Sequence, residues 1–150
     1  MAKNTIWLGT IENRPLKEEN KTAVGTILPG HMLNKTAGLF VPTATNGEAG
    51  ALYIADLNTP KQGGVDDLWA SGDSVGAFYP RAGELYHVRC AATQNITALD
   101  TPLTVNATGQ VRIALTDGTE EIVAYAQEVI NVTVANTLIR VRMANYGRAS

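Results

Sequence analysis

The sequence predicts an all-β protein, and three observations carry that expectation. Apolar residues recur with a period of two far more than with a helical period. Turn-forming pairs interrupt the apolar runs at short intervals. Glycine, threonine and asparagine are abundant, at 14, 17 and 11 of 150 residues, while long stretches of strong helix formers are sparse.

The alternation is clearest in TLIRVRM (137–143), where Ile139, Val141 and Met143 share one face and Arg140 and Arg142 point to the other. In ELYHVRC (84–90), Tyr86, Val88 and Cys90 alternate with Leu85, His87 and Arg89, and in QVRIAL (110–115) Val111, Ile113 and Leu115 oppose Arg112. Further strand-like runs cover 22–28, 38–41, 51–55, 74–79, 102–105, 120–126 and 130–135. Between them stand Pro29-Gly30, Asn46-Gly47, Gly63-Gly64, Pro80 to Gly83, Ala107 to Gly109 and Asp117-Gly118, each fixing a backbone angle or tolerating a positive φ. Such spacing suits a small barrel or sandwich. At most one helical turn is expected, over VDDLWA (65–70), with Asp66 or Asp67 as its cap and Trp69 packing inward.

A chain of 150 residues has the length of one domain and can bury roughly 68–70% of its unfolded surface. With 45% hydrophobic and 17% charged residues it reads as folded. Formal net charge is −2 and the 12 basic residues are scattered, so neither a nucleic acid nor a membrane is an expected partner. No apolar run approaches the roughly 18 residues of a membrane span. The first 20 residues lack the apolar core and cleavage site of a signal peptide, so export by that route is not expected. The five Asn-x-Thr triplets, at Asn20, Asn34, Asn95, Asn106 and Asn131, then read as turn and strand residues. Cys90 is the only cysteine, which excludes a disulfide within one chain, and its expected place is a buried strand position.

Residues 1–21 differ from the rest. An apolar stretch, TIWLGTI (5–11), precedes NRPLKEENK (13–21), which is charged and contains Pro15. The expected organisation is an N-terminal arm and solvated linker over 1–21 and a β-rich body over 22–150. Two readings of TIWLGTI stand side by side: a strand for addition to a partner's sheet edge, or the first strand of the chain's own sheet.

GDSVG (72–76) matches the G-x-S-x-G signature of serine hydrolases letter for letter. That elbow requires a strand before the serine and a helix after it. Here DDLWAS precedes Ser74 without strand pattern, and VGAFYPRAG follows with alternation, a proline and two glycines. The better reading is a Gly72-Asp73 turn entering a strand, with Gly76 as a bulge or close-approach site. Asp66, Asp67 and Asp73 lack EF-hand spacing, Glu120 and Glu121 would point to opposite faces of a strand, and no phosphate-cradling motif occurs. The chain is therefore read as a non-enzyme without metal or cofactor.

Read in order, the motifs are ILPGHML, GALYIAD, VDDLWASGDSVGAFYPRAGELYHVRCA, ALDTPLTVNATGQVRIA and IVAYAQEVINVTVANTLIRVRM. This succession, over roughly residues 22–144, resembles the capsid decoration, or cement, proteins of tailed bacteriophages. The telling parts are the turn and strand entry at Ala70 to Val75, the Pro80 to Gly83 step, and Thr101-Pro102-Leu103 followed by the strand from Gly109. The family usually places glycine before the Thr-Pro-Leu step; Asp100 stands here, a residue that enters left-handed backbone more readily than most.

The resemblance implies a small barrel-like body of the β-tulip type, assembling as a homotrimer at three-fold positions on the outside of the mature phage head. It implies binding to the major capsid protein, after synthesis in the host cytoplasm. In that scheme the arm adds a strand to the capsid protein through Ile6, Trp7, Leu8 and Ile11. Trp69, Phe78, Tyr79 and Arg81 cluster around one hairpin end and read either as a subunit interface or as ordinary core and turn packing. The competing class is a carbohydrate- or receptor-binding β-module of a phage virion, with Trp7, Trp69, Tyr53, Tyr79 and Tyr125 as stacking platforms.

Overall fold

The computed structural model describes residues 3–9, 14–116 and 118–148, the last four by backbone alone. The described chain is all-β, as the alternation predicts. Its strands are β1 (Leu16–Lys21), β2 (Met32–Thr36), β3 (Leu39–Pro42), β4 (Tyr53–Ala55), β5 (Ser74–Tyr79) and β6 (Leu85–Cys90). After these come β7 (Gln94–Ile96), β8 (Pro102–Val105), β9 (Val111–Ile113), β10 (Glu121–Ala126), β11 (Ile130–Val132) and β12 (Thr137–Arg148).

The C-terminal half closes into a five-stranded barrel in the order β10-β12-β6-β9-β8, with β8 returning to β10. Among the described strands only the β6–β9 pair is parallel, and it is short, joining Cys90 to Val111. The N-terminal half forms a second five-stranded sheet, β1-β5-β4-β2-β3, curled so that β1 approaches β3. A two-stranded ribbon of β7 and β11 completes the molecule.

Period-2 alternation places the two cores. Tyr86, Val88, Cys90, Ile139, Val141 and Met143 are buried in the barrel, as the odd-even pattern of their runs requires. One face of the curled sheet adds Met32, Ile54 and Phe78 to that core, and the Phe78 and Tyr86 rings meet at 5.7 Å between centroids. Its other face carries Leu33, Phe40, Tyr53, Ala55, Val75 and Ala77 into a second core that Ile27 and Trp69 cover.

Several local expectations change. Residues 65–70 form turns and no helix; among the described residues a short 3₁₀ turn lies instead at Thr59–Lys61, where Pro60 suits a first helical turn. Asp67 still caps a turn, accepting the Gly64 N–H at 2.7 Å. The 22–28 run is not a strand, although Ile27 makes a single antiparallel bridge to Trp69. Residues 16–21, expected as solvated linker, are β1, paired along their whole length with β5. Charge conceals this strand: it is an edge strand, and charged side chains are what keep an edge from recruiting other chains.

Candidate interaction surfaces

Burial and pairing separate the two sets of proposed contact residues. In the N-terminal segment, Trp7 bridges Tyr86, the Leu8 N–H donates to the Leu85 carbonyl at 3.1 Å, and the His87 N–H donates to the Ile6 carbonyl at 2.7 Å. The reason lies in the short β6–β9 seam. Along that edge of β6, the amides of His87, Arg89 and Ala91 find the carbonyls of Ile6, Gly30 and Val111 in turn. An unsatisfied amide there would be costly, so the segment completes the chain's own barrel.

Ile6 is accordingly 1% exposed within the first core, and Trp7 packs against it. This corrects the placement of Ile6 as a free anchor on a partner: the second reading of TIWLGTI, own-sheet pairing, describes residues 6–8. Leu8 is half-buried, and Ile11 lies outside the described residues.

The aromatic set divides. Trp69 is 2% exposed, and its indole N–H donates to the Asp56 carbonyl at 2.9 Å. Phe78 is buried against Tyr86. Both belong to cores and are corrected as interface residues. Tyr79 and Arg81 remain on the surface, Tyr79 at 45% exposure. Arg81 pairs with Glu84 across the Pro80 to Gly83 turn at 3.2 Å.

Tyr79 stands opposite Leu16 in the β1–β5 register, and Leu16 is 72% exposed. Behind them the Tyr53 ring meets Tyr79 edge-on at 5.5 Å. Tyr53, Glu18 and Lys35 close the mouth of the curled sheet: the Lys35 ammonium pairs with Glu18 and lies 5.6 Å from the Tyr53 ring centre. The Lys35 hydrogen bond holds the Glu18 carboxyl below the usual range, and burial pushes the Tyr53 phenol up. Beyond Tyr53 lies a cleft of about 590 Å³ between β2 and the 44–51 loop. Asn34 Nδ2 fixes that loop through the carbonyls of Ala49 (2.7 Å) and Ala51 (3.0 Å), and Glu121 accepts the Ala49 amide at 2.6 Å.

Of the aromatic residues offered as sugar platforms, Trp69 and Tyr53 are buried, and Tyr125 has the Arg142 guanidinium 5.1 Å from its ring centre. Tyr79 alone among those five is exposed.

The catalytic signature resolves into structure. β5 begins at Ser74, so the strand follows the serine instead of preceding it. Gly72 has φ +89°, and Asp73 accepts the Ala70 amide and the Lys61 ammonium, both at 2.8 Å. The Lys61 hydrogen bond leads the causes that hold the Asp73 carboxyl below its usual range. Gly76 sits in unbroken register, which removes the bulge and leaves the close approach: a Cβ there would lie 3.0 Å from Lys17 Cε. The histidines are engaged elsewhere, His31 with Leu28 and Asn136, His87 with the Thr5 carbonyl. Burial pushes the Cys90 thiol up to about 12. Among the described residues, no three His, Cys, Asp or Glu side chains gather as a metal site.

Two polar nodes escape sequence reasoning. Arg89, 4% exposed, donates from Nε to the Pro29 carbonyl (2.8 Å), from Nη1 to the Asn136 carbonyl (2.8 Å) and from Nη2 to the Val65 carbonyl. Glu120, 7% exposed, takes both terminal nitrogens of Arg112 and the Leu115 amide. The available signal was a charged residue inside an apolar strand run.

Comparison of the chain with models of known protein families, and with curated proteins, finds no match to either.

Proposed function

We propose that this chain is a structural decoration protein of a tailed-phage head, binding the outside of the mature shell and bridging major capsid protein subunits. The observation that supports this reading best is that the three telling steps of the resembling succession occupy the turns and strand entries they spell. Gly72 and Asp73 turn into β5, Pro80 to Gly83 joins β5 to β6, and Asp100 takes a φ of +60° immediately before Thr101-Pro102-Leu103. The described fold, a closed small barrel with a second curled sheet, also fits the expected body.

The contact surface moves with the burial data. Leu16 and Tyr79, paired on exposed edge strand β1 and its neighbour, together with Arg81, are the residues we assign to contact with the shell or with further copies of the chain. Aromatic residues and arginine are enriched where interfaces carry their energy. Binding only after maturation would add its free energy to the shell's resistance to internal pressure, by mass action on the mature state.

The mechanical part is tested by heating DNA-filled heads with and without saturating protein. A higher temperature of DNA release with the protein, reduced by Leu16→Glu, is expected; an unchanged release temperature contradicts a stabilising role.

A further inference from the structure

The segment from Ile27 to Met32 joins the two cores, with Ile27 in the second and Met32 in the first. His31 lies within it and is 4% exposed. Its two ring nitrogens are used in opposite senses. Nδ1 accepts the Leu28 N–H at 2.9 Å. Because an amide N–H can only donate, the ring proton resides on Nε2, which donates to Asn136 Oδ1 at 2.8 Å. The same oxygen accepts Gln110 Nε2 at 2.6 Å, which fixes the orientation of the Asn136 amide. Through these bonds His31 ties its own loop to the 106–110 turn and to the turn at Asn136, whose φ is +65°.

We infer that His31 is an acid-operated latch between the two cores. A second proton has only Nδ1 to occupy, and there it would face the Leu28 N–H, donor against donor. That bond must then break, freeing the residue between Ile27 and the Pro29 carbonyl that Arg89 holds.

Beyond the Asn136 amide, the surroundings offer an imidazolium little compensation. From β6 the facing charge is Arg89, a cation. Asp66, from the 65–66 turn, is 3.3 Å from that guanidinium and is 86% exposed. The 106–110 and 134–136 turns present neutral amides, and Thr26 and Thr108 bring hydroxyls to the same cavity. Burial first, with Arg89 as a further cause, holds the ring's proton affinity below its ordinary value of 6.5, against the opposing pull of Asn136.

The sign follows. Above about pH 6.5 neither state is protonated and stability is complete; below it the unfolded chain gains a proton that the folded chain refuses. The folding constant then falls by up to about tenfold per pH unit until the folded value is reached.

His87 provides the contrast. Its Nδ1 donates to the Thr5 carbonyl at 2.8 Å, so a second proton enters at Nε2 and that bond survives. Burial also lowers its proton affinity, and Lys3, Glu128 and Arg140 surround it. Acid thus charges His87 without unmaking the Thr5 contact.

The test follows ring titration and amide exchange by NMR in the intact protein from pH 7.5 to 5, with denaturation of wild type, His31→Asn and His87→Gln. The expected result is an Nε2–H tautomer at neutral pH and a Leu28 protection factor that drops at least tenfold in acid. The acid loss of stability should shrink in His31→Asn, whose side-chain oxygen still accepts the Leu28 N–H, and persist in His87→Gln. If His31→Asn does not fold, the wild-type spectra decide alone. An Nδ1–H tautomer, or Leu28 protection that stays constant while His31 titrates, overturns the latch.

Discussion

Arg89 Nε lies 2.8 Å from the carbonyl oxygen of Pro29, and the remainder of the same buried guanidinium holds the carbonyls of Asn136 and Val65. One cation therefore ties three separate loops to strand β6. Removing it takes the donor from one buried carbonyl, that of Pro29, and from two part-buried ones, and a buried acceptor left unpaired costs about 1–3 kcal/mol. Arg89→Ala is expected to lower the unfolding free energy by about 3 kcal/mol or more in urea titration. Arg89→Lys should recover only part of this, because a point ammonium cannot reach all three oxygens.

The N-terminal segment is expected to behave as part of the fold. Ile6→Ala should cost about 2–5 kcal/mol, the range for a truncated buried isoleucine. Deletion of residues 1–11 removes Ile6 and the acceptor for the His87 amide, and should shift the urea midpoint downward. A midpoint equal to that of the full chain would restore the view of a free arm.

Ser74 and Gly76 make a paired test of the GDSVG segment. Ser74 is exposed at the start of β5, so Ser74→Ala should fall within about 0.5 kcal/mol of wild type. Gly76→Val should cost more, because its Cβ begins 3.0 Å from Lys17 Cε and displaces the Lys17–Asp56 ion pair, formed at 2.6 Å. Equal thermal midpoints for the two variants would refute this account of Gly76.

Gly109 is a stricter position. Its φ is +78°, and a Cβ would stand 3.0 Å from the Met32 carbonyl oxygen and 3.1 Å from Pro42 Cβ. The neighbours are backbone and a proline ring, neither able to swing aside. Gly109→Ala should destabilise by about 1–3 kcal/mol, read by denaturant unfolding.

Legibility in the sequence tracked how each element is stabilised. The first half of β12 was visible because one wet face enforces alternation in TLIRVRM, whereas β5 and β8, buried on both faces, were visible as short apolar runs bounded by turn residues in SVGAFY and PLTV. β1 was not, because LKEENK buries little and is held by main-chain bonds to β5, which leave no trace in composition. Strand β2 begins apolar at Met32-Leu33 and ends exposed at Lys35-Thr36, so its period is cut short; β7, with three residues, has none.

The aromatic set shows the same limit for sites. Trp69, Phe78 and Tyr79 are near neighbours in sequence, but burial sends the first two to different cores and leaves the third at the surface. Asp100 was legible because its left-handed backbone depends on local residue type alone. Apart from Leu28, three residues before His31, the partners of the Arg89 and His31 nodes lie 23 to 105 residues away, beyond any local pattern.

The proposed decoration role is tested most directly by co-sedimenting the purified chain with undecorated expanded and unexpanded heads of the cognate phage, then counting bound copies. The account predicts saturable, stoichiometric binding to expanded heads, none to unexpanded ones, and weakening by Leu16→Glu combined with Tyr79→Ala. Absence of binding to expanded heads, or equal binding to both forms, would contradict it.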